Sequence, residues 1–322
     1  MPRELRSMFN FDNYSDVPRE PPFVLTEEKI ISDLLSAEHP EEEALQKAML
    51  KKKGFDLLPP LPFNQDWTNP CWTSSTGNLQ CLPYFYIIGF PRCGVQDIHT
   101  RIGTHPLIVS AATQRPNWWT KGRAKIPMNN QSYIYGSAVK AMGVKDRMQI
   151  LGHADGTAIL QVGDIVLAGP KASVQIRKAP AAPRLMTPYL MNKFNRGTKF
   201  IVILRNPTDG LFSEYLNHGD KTKSTDILSE KSAQLFHYHT LQVIGMYEDC
   251  FKKQNIRACI YDTLLAEEAR KAQVPIAEWL FPVYIGDWLQ VFPREQFFFV
   301  KMEEYSKNTS HVLQEIFSFL GV

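Results

Sequence analysis

Arg92 is the first residue whose type and surroundings suggest chemistry, in the stretch "YFYIIGFPRCGVQDIHTRIGTHP". Tyr84 to Ile88 form an aromatic and β-branched run, Gly89, Pro91 and Gly94 break it, and Ile98 and Ile102 then recur at helical spacing. A strand, a tight loop and a helix are therefore predicted. A helix start presents unpaired N–H groups and a partial positive charge, and a glycine lets an anion come close to the backbone. Arg92 adds a full charge, so the loop is equipped to hold a phosphate or sulfate. It lacks the G-x-x-x-x-G-K-[ST] signature whose Lys and Ser/Thr would reach phosphates and Mg²⁺. A metal-free anion site is the expectation, and a plain βα turn whose glycines serve only packing is the alternative. A triphosphate kinase or hydrolase is disfavoured, because no magnesium-binding signature accompanies the loop.

A second element of the same kind lies in "TKFIVILRNPTDGLFSEYLNH". Its strand ends in Arg205, turns through Asn206 and Pro207, and enters a helix carrying Ser213. Ligands of open α/β sheets sit beyond such strand ends. Arg205 offers a planar fork of donors suited to phosphate, and Ser213, about two turns on, can bring a hydroxyl to the same place. Read singly, Arg205 is a salt-bridge residue and Ser213 a surface serine. Together with the first loop they describe one anion site.

The elements that must position these residues follow from the pattern. "YFYII", "PLIVSA", "RMQIL", "KFIVIL" and "FFFV" are strand candidates that alternate with helical segments, as in a parallel sheet with helices on both faces. Residues 1–61 read as an N-terminal extension, Pro-rich and helical by turns, ahead of a domain over residues 62–322. The chain has 322 residues, 44% of them hydrophobic and 21% charged, enough for one large domain or two small ones. A formal net charge of +3 does not point to a nucleic-acid partner. The five cysteines form no C-x-x-C pattern, so no metal site is expected. Cys71 with Cys81, and Cys250 with Cys259, bracket short polar segments that can close as disulfide loops in an oxidising compartment, or stay as idle thiols. Sequons at Asn13, Asn130 and Asn308 lean the same way. No apolar segment is long enough to span a bilayer, and the first residues carry no signal-peptide pattern. No membrane anchor is expected in these residues, which fits a cytosolic protein or one whose targeting segment lies elsewhere.

Taken in order, "YFYIIGFPRCG", "HPLIVSAATQRPNWWTKGR", "FIVILRNPTDGLFSEYL" and "FPREQFFFVKMEEYSKNTSHVLQEIFSFLGV" resemble the carbohydrate sulfotransferases, most of all the Golgi enzymes that 6-sulfate N-acetylgalactosamine 4-sulfate in chondroitin. The similarity covers residues 69–322. It implies a P-loop-like three-layer α/β fold, a sulfuryl donor in 3′-phosphoadenosine 5′-phosphosulfate (PAPS), a glycosaminoglycan-type acceptor and a place in the Golgi lumen. In family terms Pro91, Arg92, Cys93, Gly94, Val95 and Gln96 hold the 5′-phosphosulfate, and Arg205 and Ser213 hold the 3′-phosphate. Trp118 and Trp119 can stack on a sugar ring, or one of them can fill the core beside the nucleotide loop, and Lys121 and Arg123 suit an anionic glycan or equally a solvated loop.

Departures from the family pattern accompany the resemblance. "PRCGVQ" stands for P-K-x-G-T-T, so Arg92 replaces a lysine while Val95 and Gln96 replace two hydroxyl residues. Arg115 occupies the place of a glutamate that can serve as base, and arginine cannot take up a proton at neutral pH. Arg115 then falls to acceptor binding, while His153 and Asp155 in "ILGHADGTAIL" become the substitute catalytic groups beside Arg92. The family usually continues past "FLGV" into a basic loop over the nucleotide, so a domain cut short there is expected. A catalytically impaired relative that binds nucleotide or glycan is the alternative these changes raise.

Overall fold

The computed structural model describes residues 62–73, 77, 79–110, 148–155, 187–217 and 232–322. In chain order these form β1 (Cys71–Thr73), β2 (Leu79–Cys81), β3 (Phe85–Gly89), α1 (Val95–Ile102), β4 (Ile108–Ser110), β5 (Ile150–Asp155), α2 (Thr187–Phe194), β6 (Lys199–Leu204), α3 (Pro207–Asn217), α4 (Ala233–Phe251), α5 (Ile256–Ile260), α6 (Thr263–Lys271), α7 (Phe281–Leu289), β7 (Phe297–Lys301), α8 (Met302–Lys307) and α9 (Thr309–Leu320). The extension over residues 1–61 lies outside the described residues, as do Arg115, Trp118, Trp119, Lys121 and Arg123.

A five-stranded sheet in the order β4-β5-β3-β6-β7 forms the centre, and all its pairings are parallel. Buried on both faces, the middle strands need apolar side chains in both directions, which is why "FYIIG" and "KFIVIL" are continuous runs rather than alternating ones. On one face Phe200 meets Trp288, Phe292 and Phe297, with ring centroids 4.7 to 5.1 Å apart. On the other, Phe298 packs on Phe319 of α9, and His105 on Phe317. Helices thus cover both faces, as the alternation of elements predicts.

Two details differ from the sequence reading. The strand expected over "RMQIL" runs instead over Ile150–Asp155, so His153 and Asp155 lie within the sheet, opposite Tyr86 and Ile88 of β3. Gly152 is what admits this register. It faces Phe85, whose ring would lie 2.3 Å from any Cβ there. The segment between Cys71 and Cys81, expected only as a polar loop, is a small antiparallel hairpin, β1 with β2, stapled by a Cys71–Cys81 disulfide. A second disulfide, Cys250–Cys259, ties the end of α4 to α5.

Helix α3 is seated by a glycine. Trp279 is buried and its indole Nε1–H donates to the Glu214 carboxylate at 3.2 Å, so the ring lies against the first turns of α3. A Cβ at Gly210 would stand 1.9 Å from Trp279 Cη2. Helix propensity alone would make Gly210→Ala stabilising by about 1 kcal/mol. Overpacking costs about 1–3 kcal/mol and here acts on a buried ring whose Nε1–H is bonded to Glu214. With a Cβ this deep in the ring the packing cost lies at the upper end of its range, so Gly210→Ala lowers stability by about 2 kcal/mol in urea denaturation, and a gain in stability would show that Trp279 moves freely.

Candidate functional site

The site lies where the connections leave the sheet in opposite directions. From β3 the chain goes toward β4 at one edge, and from β6 toward β7 at the other, so a crevice opens beyond the carboxyl ends of β3 and β6. Gly89, the last residue of β3, pairs with Ile203. A Cβ at Gly89 would lie 2.9 Å from Val95 Cγ2 and 3.3 Å from the Ile203 carbonyl, so only glycine lets the following loop fold back this tightly.

Two residues of the loop take left-handed backbone conformations, Arg92 at φ 59° and Gly94 at φ 80°. For glycine this costs nothing, but for arginine it costs about 1–2 kcal/mol. The compensating contact comes from the neighbouring strand: Arg205 Nη1 donates to the Arg92 carbonyl at 3.0 Å. Gly94 is the N-cap of α1 and no side chain caps that helix, while the exposed Arg92 stands just before it. An open helix start beside an arginine is an anion-binding arrangement.

Cys93 turns the other way. Its side chain is 1% exposed and its thiol donates to the Pro91 carbonyl at 3.5 Å. Burial pushes the thiol pKa up to about 12, against the lowering pull of Arg205, so at neutral pH it is protonated and packs rather than reacts. Gln96 is exposed and Val95 half-buried at the first positions of α1. Ser213 is half-buried on α3, about 9 Å along the helix from Pro207. The structure therefore brings residues 91–96 and Arg205 together directly, and sets Ser213 further up the helix that Arg205 leads into. Asp155 closes β5 at the same edge of the sheet, and His153 sits two positions earlier.

The sequence reading missed a third contributor, the segment that follows β7. Glu303 Oε1 accepts from the Asn206 backbone N–H at 2.6 Å, and Asn206 Oδ1 in turn accepts from the N–H groups of Thr208 and Asp209. The start of α3 is thus satisfied by side chains while that of α1 is left open. Tyr305 donates to Asp97 Oδ2 at 2.5 Å, and Arg101 Nε reaches the same oxygen at 2.9 Å. Asp97 would otherwise place a bare carboxylate in the first turn of α1. Met302 lies beside Gly94. A charged, aromatic-bearing "KMEEY" directly after an apolar strand was the available signal.

The tyrosine and arginine hold the Asp97 carboxyl below its ordinary 3.8, the tyrosine contributing most. Since the folded value is the lower one, the resulting stability is present above that ordinary value and is lost as pH falls through the depressed one. Asp97 is half exposed, so the bond is worth about 1 kcal/mol rather than a buried pair's full value. Tyr305→Phe should cost about that much near pH 7, flatten the acid side of the stability curve, and raise the Asp97 pKa in an NMR titration. An unmoved titration would detach Tyr305 from this role.

The Sulfotransferase domain model matches residues 83–322. "Carbohydrate sulfotransferase 15" from Mus musculus is 28% identical over 265 residues, covering 76% of this chain and 44% of that protein. The Homo sapiens protein of the same name is 27% identical over 271 residues with the same coverage, and that of Nototodarus sloanii 34% over 94 residues, 29% of this chain and 57% of its own. The chain thus spans 44% of the length of the mouse and human proteins. Among solved structures, a sulfotransferase from Alicyclobacillus acidocaldarius is similar with a TM-score of 0.47 at 17% identity, covering 74% of this chain and 81% of that one. With its matched model spanning most of the chain and residues 91–96 inside it, the protein belongs to the sulfotransferase domain family.

Proposed function

We propose that residues 62–322 form the catalytic domain of a carbohydrate sulfotransferase that moves a sulfuryl group from PAPS to a hydroxyl of a glycosaminoglycan-type sugar in the Golgi lumen. The observation that carries this reading is the uncapped start of α1, with Arg92 before it and Arg205 bonded across to the same loop. Membership in the sulfotransferase domain family and similarity to proteins named carbohydrate sulfotransferases support it. Two disulfides favour an oxidising compartment, and the described residues include no helix long and apolar enough to cross a membrane.

The residues present fit such a donor. The glycine-bearing loop and the open helix start suit its phosphosulfate, and Arg205, with Ser213 on the helix beyond it, suits a 3′-phosphate. PAPS supplies an activated sulfuryl group, whose sulfur–oxygen bond to phosphate breaks as one to the sugar oxygen forms. Arg92 stabilises the negative charge that collects on the departing phosphate oxygen, and the first N–H groups of α1 hold the sulfuryl oxygens. The acceptor hydroxyl loses its proton to His153 or Asp155. Trp118 and Trp119 stack on the acceptor, and Arg115, Lys121 and Arg123 bind its acidic groups.

Transfer of labelled sulfate from PAPS to a panel of desulfated and partly sulfated glycosaminoglycans tests the reading, and failure to bind the nucleotide at all would end it. Arg205→Ala should weaken binding of 3′-phosphoadenosine 5′-phosphate by about 1.5–3 kcal/mol, roughly ten- to a hundredfold, in calorimetry. One of His153→Ala and Asp155→Ala should lower transfer by about a hundred- to ten-thousand-fold with nucleotide affinity intact. Transfer that survives both would move proton acceptance to another group.

A further inference from the structure

The sequon Asn308-Thr309-Ser310 falls at a position that the anion site does not use. Asn308 ends α8 and begins α9, the only residue between the two helices, with φ −142° and ψ 63°. Its backbone is committed, the N–H to the Glu304 carbonyl at 3.0 Å and the carbonyl to Val312 N–H at 3.2 Å. Its side chain is exposed and makes no cap hydrogen bond to α9. Ser306, Lys307, Ser310 and His311 around it are exposed as well, whereas Tyr305 and Val312 point into the protein. An asparagine that caps a helix earns its place through its side-chain oxygen. This one does not, so a substituent on its amide nitrogen displaces no bond of the fold.

We propose that Asn308 is an N-glycan acceptor. The proposal rests on the secretory compartment read above, for which the Cys71–Cys81 and Cys250–Cys259 disulfides are the independent mark. In the transfer the Asn308 side-chain nitrogen bonds to the anomeric carbon of a lipid-pyrophosphate-linked oligosaccharide. The bond from that carbon to the pyrophosphate oxygen breaks, its electron pair leaves with the lipid pyrophosphate, and one amide proton goes to base. Ser310 supplies the hydroxyl of the recognition triplet. In the fold Thr309 Oγ1 is engaged with the Tyr305 carbonyl at 2.8 Å, while Ser310 stays exposed. The glycan projects from the bend between α8 and α9 into solvent.

The test is mass spectrometry of the Tyr305–Glu315 peptide released by Glu-specific cleavage, in which Asn308 is internal, from the full chain made in a eukaryotic secretory host, before and after peptide N-glycosidase. The expected result is a glycosylated peptide that the enzyme converts to one with Asp at position 308. Asn308→Gln and Ser310→Ala should each abolish the modification, Ser310→Thr should keep or raise its occupancy, and thermal stability of the two unglycosylated variants should match that of enzymatically deglycosylated protein. Unmodified Asn308 in protein whose two disulfides are formed overturns the glycan and leaves the compartment standing. Unmodified Asn308 with those four thiols free overturns both.

Discussion

One hydrogen bond, from the Arg205 guanidinium to the Arg92 carbonyl, joins the ends of the two central strands, and the geometry of the site depends on it. It couples three things that are separate in sequence: the left-handed turn at Arg92, the position of Arg205, and the spacing between the α1 start and the β6 end. The bond is exposed and contributes about 0.5–1.5 kcal/mol, which offsets part of the cost of holding a non-glycine residue at positive φ. The fork of Arg205 has more donors than this bond uses.

The loop is fixed from below as well as from the side. Phe90 packs on Phe281 with ring centroids 4.1 Å apart, and Cys93 is sunk into the core three residues later. Between these two anchors Pro91 and Arg92 have little freedom. A residue with a larger or charged side chain at position 93 would have to lift the loop out of its seat. The variable position of the loop pattern is thus filled here by a small apolar thiol for a packing reason, and its unreactive state follows from the same burial.

Much of this was legible in the sequence, because the signals were local. "KFIVIL" and "FFFV" are strands where the apolar runs place them, and Ile98 and Ile102 do face the core from α1. What escaped was long-range. The register that places Asp155 at the end of β5 depends on Gly152 making room for Phe85, which no local pattern encodes. Glu303 and Tyr305 lie about a hundred and two hundred residues from their partners Asn206 and Asp97, so a charged turn after β7 reads as solvated surface until the fold is known. Arg205 stood out in the sequence from its place at a strand end, but its bond to a backbone carbonyl did not.

The brace from α8 explains why one helix start is open and the other closed. Both α1 and α3 begin at the carboxyl end of the sheet, after β3 and β6. Glu303 and Asn206 fill the donors at the start of α3, leaving the positive charge there to Arg205. Tyr305 and Arg101 draw the Asp97 carboxylate aside, so the acidic residue in the first turn of α1 adds helix stability without closing the donors to a ligand. The open α1 backbone, Arg92 and Arg205 are thus gathered at one place, while the start of α3 beside them is closed.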